Sequence, residues 1–177
     1  MARTVDRELV GSVAAAAEGD QIAFGRIVTA YHDDMCRVCT YVTGDEQLAE
    51  DAVQTAWSTA WHKLGSLREP ERLRSWLMRV AINEAKRQLE RRSRRLRTEV
   101  RVDATSLPGG IDPSTGVSSL DLLSAIEQLE PEERGLLAMR YVAGFDASEL
   151  STAIGLSPSG TRTRLERLLT RLRKELE

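Results

Sequence analysis

Aromatic residues are scarce in this sequence, with three Trp, three Tyr and two Phe making up 5% of 177 residues. Any core must therefore be built mainly from Leu, Ala and Val. Cysteine is almost absent too. Cys36 and Cys39 alone cannot make the disulfide framework that holds small secreted domains together, which fits a reducing compartment. No window approaches the run of about 18 apolar residues that a membrane span needs. The N-terminal MARTVDRELVGSVAAAAEGD has acids where a secretion signal would be uninterrupted. These absences exclude membrane insertion and place the chain in the cytoplasm. Also missing at workable spacing are a nucleophile–base–acid triad, paired acid–base carboxylates and a Gly-rich phosphate loop, so the sequence does not read as an enzyme.

What is present is charge. Charged residues make up 29% and hydrophobic residues 41%, the balance of a soluble globular protein. The net charge of −2 hides an uneven distribution. From Lys86 to Arg97 there are seven basic residues against one acid, and from Arg162 to Lys174 six against one. Either stretch alone fits a solvated helix face. Two of them in a mildly acidic chain suggest two phosphate-contacting surfaces.

Residues 98–118 have no helical period and are punctuated by Pro108, Gly109, Gly110, Pro113 and Gly116, which predicts a flexible linker. On either side, apolar residues recur at three and four, and no stretch alternates with period two long enough for a strand. The expected fold is all-α, with one small helical domain over 1–97 and another over 119–177. In the first, a short helix over Asp6 to Ala17 precedes Asp20, a cap for a helix carrying Phe24, Ile27, Val28, Tyr31, Met35, Val38 and Val42 on one face. Gly44 and Asp45 break the chain before a third helix, whose stripe runs Leu48, Ala52, Ala56 or Trp57, Ala60 or Trp61, and Leu64. After a loop, Leu73, Trp76, Leu77 and Val80 line a fourth.

The second domain opens with Leu120, Leu123, Ile126 and Leu129, and Pro131 sits where a first helical turn tolerates it. A helix through Leu136, Leu137 and Tyr141 stops at Gly144. Asp146 then caps ASELSTAI, Gly155 ends it, Ser157 caps the next helix and Pro158 takes its first position. Two helices joined by so tight a turn match a helix-turn-helix, or an ordinary helical hairpin with a basic surface. Leu165, Leu168, Leu169, Leu172 and Leu176 share one face of the second helix. Ser159, Thr163 and Arg167 project from the other, with Arg162 and Arg164 flanking. Hydroxyl and guanidinium groups can reach base edges, and unpaired N–H groups at the helix start favour a phosphate.

The segments GDQIAFGRIVTAY, AEDAVQTAWSTAW, LRSWLMRVAINEAKRQLERRSRR and LEPEERGLLAMRYVAGFDASELSTAIGLSPSGTRTRL stand in one register along nearly the whole chain. Together they resemble the extracytoplasmic-function (group 4) sigma factors of the sigma-70 family, which join region 2 to region 4 by a flexible linker. The resemblance implies a promoter-selecting subunit of bacterial RNA polymerase, associated with the nucleoid. It assigns clamp docking to Asp51 and Gln54 on the third helix, where a carboxylate and an amide can pair with an Arg-bearing partner helix. It assigns capture of nontemplate-strand bases at the −10 element to the loop Gly65 to Glu71 and to Arg79, Asn83, Lys86 and Arg87. The first three of those four share a helix face at i, i+4 and i+7. An amide there can read a base edge while the cations hold phosphates, with no ATP required.

The resemblance assigns −35 recognition in the major groove to Ser159, Arg162, Thr163, Arg164 and Arg167. Trp57, Trp61 and Trp76 have the phase of core residues. The apolar surface at Leu136 and Leu137 either packs inside the domain or holds the polymerase flap. The implied partners are core RNA polymerase through clamp and flap, promoter DNA as duplex and as nontemplate single strand, and an inhibitory anti-sigma factor. No cofactor or metal is expected, nor a regulatory domain after the last helix. Thr55 stands where the family commonly has an acid, Thr161 where it usually has an aliphatic residue, and Glu166 with Leu168 and Leu169 replaces a more basic stretch.

His32, Cys36 and Cys39 form H-x3-C-x2-C on one predicted helix, near a common face, and resemble the zinc motif of certain anti-sigma factors, though no fourth ligand is evident and Cys39, bordering the apolar stripe, can simply be buried. Two other functions therefore stand beside the sigma reading. One is a conventional helix-turn-helix regulator that binds duplex DNA without core polymerase, and the other is a zinc- or thiol-based protein that sequesters a partner. His62 stands alone and reads as a surface or interfacial residue.

Overall fold

The computed structural model describes residues 2–99, 122 and 124–176, and every regular element among them is helical. Helices α1 (Ala2–Ala17), α2 (Gln21–Thr43) and α3 (Glu46–Lys63) lead through two short 3-10 turns, Leu64–Ser66 and Pro70–Arg72, into α4 (Leu73–Glu99). A helical turn at 124–127 precedes α5 (Pro131–Leu137), which loosens into a π-helical turn over Ala138–Val142. Then come α6 (Ala147–Ile154) and α7 (Pro158–Glu175).

The helix boundaries follow from capping chemistry. Asp20 accepts hydrogen bonds from the Ile22 and Ala23 N–H groups at 2.8 and 3.1 Å, so α2 starts there. Gly44 ends it at φ 68°, a left-handed conformation that a side chain would strain. Asp45 accepts from Leu48 N–H and also pairs with Arg92 at 2.6 Å, tying the start of α3 to the far end of α4. The Leu48 bond first, then Arg92, holds the Asp45 carboxyl below its ordinary range.

Small residues set the packing of α3. Ala49, Ala52, Ala56 and Ala60 are buried with Val53, which lets α3 lie close against α2 and α4. Leu48 is only half-buried. Trp57 and Trp61 are half-buried as well, and both rings meet Phe24 edge-on, with centroids 5.8 and 4.8 Å away. In α2 the expected face is buried except for Phe24 and Val28, which are half-buried, and Cys39 joins it. In α4, Leu73 and Leu77 are buried while Trp76 and Val80 are half-buried.

The C-terminal helices do not stand apart from the first four. α5 and the π turn pack on α2, and α6 packs on α4, so one continuous cluster of buried side chains runs from Leu9 to Leu172. Gly135 marks the closest approach: a Cβ there would lie 3.1 Å from Ile82 Cδ1 of α4. α4 also runs two residues into the segment expected to be linker. The rest of that segment, with Leu120 and Leu123, lies outside the described residues. Leu136 is buried inside the protein and Leu137 half-buried, whereas Tyr141, in the π turn, is 62% exposed.

Candidate nucleic-acid interface

Two basic helix faces are built very differently. On α4, Arg79, Asn83 and Lys86 line one cleft together with Ile82, and its opposite wall is Glu132, Leu136, Met139, Ala153 and Arg164 from α5, the π turn, α6 and α7. The cleft holds about 250 Å³. Arg79 Nε donates to the Ala153 carbonyl at 2.7 Å, and its guanidinium also donates to that of Thr152. These carbonyls are the open C-terminal end of α6, which carries partial negative charge. Lys86 pairs with Glu132, which pulls that carboxyl below its ordinary range. Asn83 remains exposed. Arg87 lies outside the cleft and pairs with the buried carboxylate of Glu84.

Sequence reasoning missed Arg74, a buried cation that meets several partners at once. Its side chain is 7% exposed. It lies 3.5 Å from Asp34 of α2 and 2.9 Å from Glu149 of α6, donates to the Ala143 carbonyl, and stacks 4.1 Å over the Phe145 ring. Next to it, Ser75 Oγ donates to the Glu149 carbonyl at 3.0 Å. A basic residue amid apolar ones at the start of α4 is the only signal the sequence carried, and nothing local in it names the partners 70 residues away.

On α7, Ser157 caps the helix by accepting from Gly160 N–H at 3.1 Å, with Pro158 in the first turn. Gly155 closes α6 at φ 71°, so the two helices meet across a tight turn. Ser159, Thr163, Arg164 and Arg167 line one open concave face, and Arg162 lies outside it on an exposed flank. Arg162, Arg164 and Arg167 are exposed, and none has a salt bridge to another described residue.

Arg171 joins the same face and was missed, although it continues the row at i+4 from Arg167. It pairs with Glu133, which raises the Arg171 pKa. Thr161, odd at an aliphatic position, is buried and donates its hydroxyl proton to the Ser157 carbonyl at 3.0 Å, so its polarity is satisfied within the turn. Glu166 is exposed, Leu168 buried and Leu169 half-buried.

Asp51 and Gln54 line a groove of about 520 Å³ between α2 and α3 with Glu50, His32, Cys36 and Trp57. Trp57 Nε1 donates to His32 Nδ1 at 3.2 Å, and Cys36 Sγ is 3.5 Å from His32 Nε2. The common face expected for His32, Cys36 and Cys39 is not found. Three residues beyond Cys36, Cys39 turns into the core with no exposure, and its burial pushes the thiol up to about 12. Burial, then Asp33 and Glu50, raises the Cys36 thiol. Among the described residues no three His, Cys, Asp or Glu side chains could hold a metal ion. Thr55 donates to the Asp51 carbonyl at 2.9 Å, and the exposed His62 ring is 2.7 Å from the Ser58 carbonyl. No helix among the described residues is long and apolar enough to cross a membrane.

Residues 27–95 match the sigma-70 region 2 family and residues 119–172 the sigma-70 region 4 family, together more than half of the chain. The "ECF RNA polymerase sigma factor SigW" of Bacillus subtilis is 26% identical over 90% of this chain and 91% of its own length. The "Probable RNA polymerase sigma factor RfaY" of Xanthomonas campestris is 30% identical over 99% of this chain, which spans about half of that protein, 46%. Among solved structures, CnrH in complex with the cytosolic domain of CnrY is similar at a TM-score of 0.67 and 26% identity, covering 96% of each chain. The sigma factor RpoE in complex with the anti-sigma factor NepR from Bartonella quintana shares the fold, with a TM-score of 0.65 and 21% identity over 86% of this chain and 96% of that one. With both region families matched in order on an all-helical fold, the chain belongs to the extracytoplasmic-function sigma factors of the sigma-70 family.

Proposed function

We propose that this sigma factor binds core RNA polymerase and directs it to specific promoters, with the work divided between its two basic helix faces. The observation that carries this division is the open face of α7, where Ser159, Thr163, Arg164 and Arg167 project from a capped helix start. Donors of that kind at a helix N-terminus suit the major groove, where guanidinium groups read guanine edges and hydroxyls adapt to either base type. Arg162 supplies a flanking phosphate contact to the −35 duplex. On α4, Asn83 reads a nontemplate base at the −10 element while Arg79, Lys86 and Arg87 hold the strand. The loop Gly65 to Glu71, with a short 3-10 turn at each end, leads directly into α4 and takes part in capturing the strand.

Asp51 and Gln54, exposed on α3, dock on the polymerase clamp. With Leu136 buried, contact with the flap falls to residues such as the exposed Tyr141. The factor works in the bacterial cytoplasm, at the nucleoid, with no catalytic chemistry of its own. The RpoE–NepR complex supports an anti-sigma partner here as well.

The test is transcription by purified core polymerase on a library of genomic promoter fragments, with this protein and with an Asn83→Ala, Lys86→Ala variant. New start sites should appear with the unaltered protein and vanish with the variant. If core gains no starts while the protein alone protects duplex DNA, the chain acts as a conventional regulator instead.

A further inference from the structure

We infer that Glu133 of α5 withholds Arg171 from the DNA backbone and so limits the sequence-independent affinity of the α7 face. This rests on the assignment of that face to duplex DNA. Arg164, Arg167 and Arg171 stand at i, i+3 and i+7 on α7 and line the same concave surface. They differ in what holds them. Arg164 and Arg167 have no salt bridge to another described residue, whereas Arg171 pairs with Glu133, whose carboxylate lines that surface too.

A carboxylate on a surface that meets phosphates opposes binding unless its charge is taken up, and here Arg171 takes it up. Glu133 is the fixed member of the pair. It accepts from the Glu130 N–H at 3.2 Å, in the capping box that starts α5, and its side chain is only 19% exposed. Arg171 is 48% exposed at the end of a long side chain, so it can turn toward a new partner while the acceptor stays in place. A phosphate that reached Arg171 would displace the carboxylate and then lie beside its negative charge. The duplex therefore approaches this cation without gaining a contact.

The consequence lies in specificity. Contacts to phosphate strengthen binding to every sequence alike, whereas contacts to base edges do not. A further free arginine in the row would tighten binding to any duplex and add nothing to discrimination. With Arg171 held, recognition is left to Ser159, Thr163, Arg164 and Arg167 at the start of the helix.

Glu133→Gln releases Arg171 and keeps an oxygen for the Glu130 N–H, since glutamine also serves in a capping box. Anisotropy of a fluorescein-labelled duplex of mixed sequence, titrated with the full-length chain over a range of salt, reads the result. Glu133→Gln should steepen log K against log salt by about 0.9, one phosphate contact, so that its advantage over the unaltered chain grows about 3.5-fold between about 200 and 50 mM salt. Adding Arg171→Ala to Glu133→Gln should remove that gain. A gain that survives Arg171→Ala would come from loss of a repelling charge alone, and the inference falls. It falls equally if the slope of Glu133→Gln is unchanged; a lowered denaturation midpoint in that variant would then show that the pair only ties α5 to α7. The reading of α7 itself is judged on the same duplex by Arg162→Ala with Arg167→Ala. If that variant keeps the affinity and slope of the unaltered chain, the α7 assignment has failed; if it loses both while Glu133→Gln changes nothing, only the role of Glu133 is overturned.

Discussion

The basic faces of α4 and α7 have similar composition and opposite circumstances. Arg79, Lys86 and Arg87 of α4 are each engaged by oxygens of the same chain, whereas Arg162, Arg164 and Arg167 of α7 have no salt bridge to a described residue. Charge density along the sequence is nearly the same for both, so it cannot tell an occupied surface from a vacant one. Tertiary placement makes the difference. α7 caps its own start within five residues and turns its cations outward, while α4 shares with α2 the packing of the C-terminal helices.

The contrast can be broken most severely at Arg74. Arg74→Ala leaves Glu149, Asp34 and the Ala143 carbonyl without their shared partner, and losing one side of a buried pair costs about 3–5 kcal/mol. Denaturant titration should show that loss, with the transition splitting or broadening as the two halves uncouple. The α7 face should respond through DNA instead. Arg162→Ala with Arg167→Ala should leave stability unchanged and cut duplex affinity, reducing the slope of log K against log salt by about 1.8. The matching α4 change, Arg79→Ala with Lys86→Ala, should leave that duplex slope unchanged.

A smaller effect is expected at Asp45, whose cap and ion pair hold α3 and α4 together apart from either DNA face. Asp45→Ala should cost about 1 kcal/mol near neutral pH. Because the folded carboxyl sits below its ordinary value of 3.8, its contribution is present above that pH and fades as pH falls through the lower folded value. The stability gap between Asp45→Ala and the unaltered chain should therefore close in acid. Smallest of all is Arg171→Ala. Already paired with Glu133, Arg171 should change the salt slope by less than the about 0.9 of a full phosphate contact.

Much of this fold was legible residue by residue. Asp20, Gly44, Asp45, Asp146, Gly155, Ser157 and Pro158 each act locally, through caps and turns that involve near neighbours in sequence, and each stands where its chemistry predicted. The candidate site was legible in part for the same reason: Arg79, Asn83 and Lys86 share a face because helical spacing alone requires it. What escaped depends on contacts far apart in sequence. Nothing near Arg74 announces Glu149, and nothing near Gly135 announces Ile82. Cys39 has the same i+7 spacing from His32 that Lys86 has from Arg79, but it borders the apolar stripe of α2. The core that surrounds it decides the matter.

The division of labour between the two faces is tested most directly by permanganate footprinting of a promoter bound by core polymerase and this factor. Unpaired thymines should appear around the −10 element with the unaltered chain, disappear with Asn83→Ala and Lys86→Ala, and persist at reduced occupancy with Arg162→Ala and Arg167→Ala. Thymine reactivity unaffected by the α4 changes would contradict the account, because strand opening would then reside elsewhere in the protein.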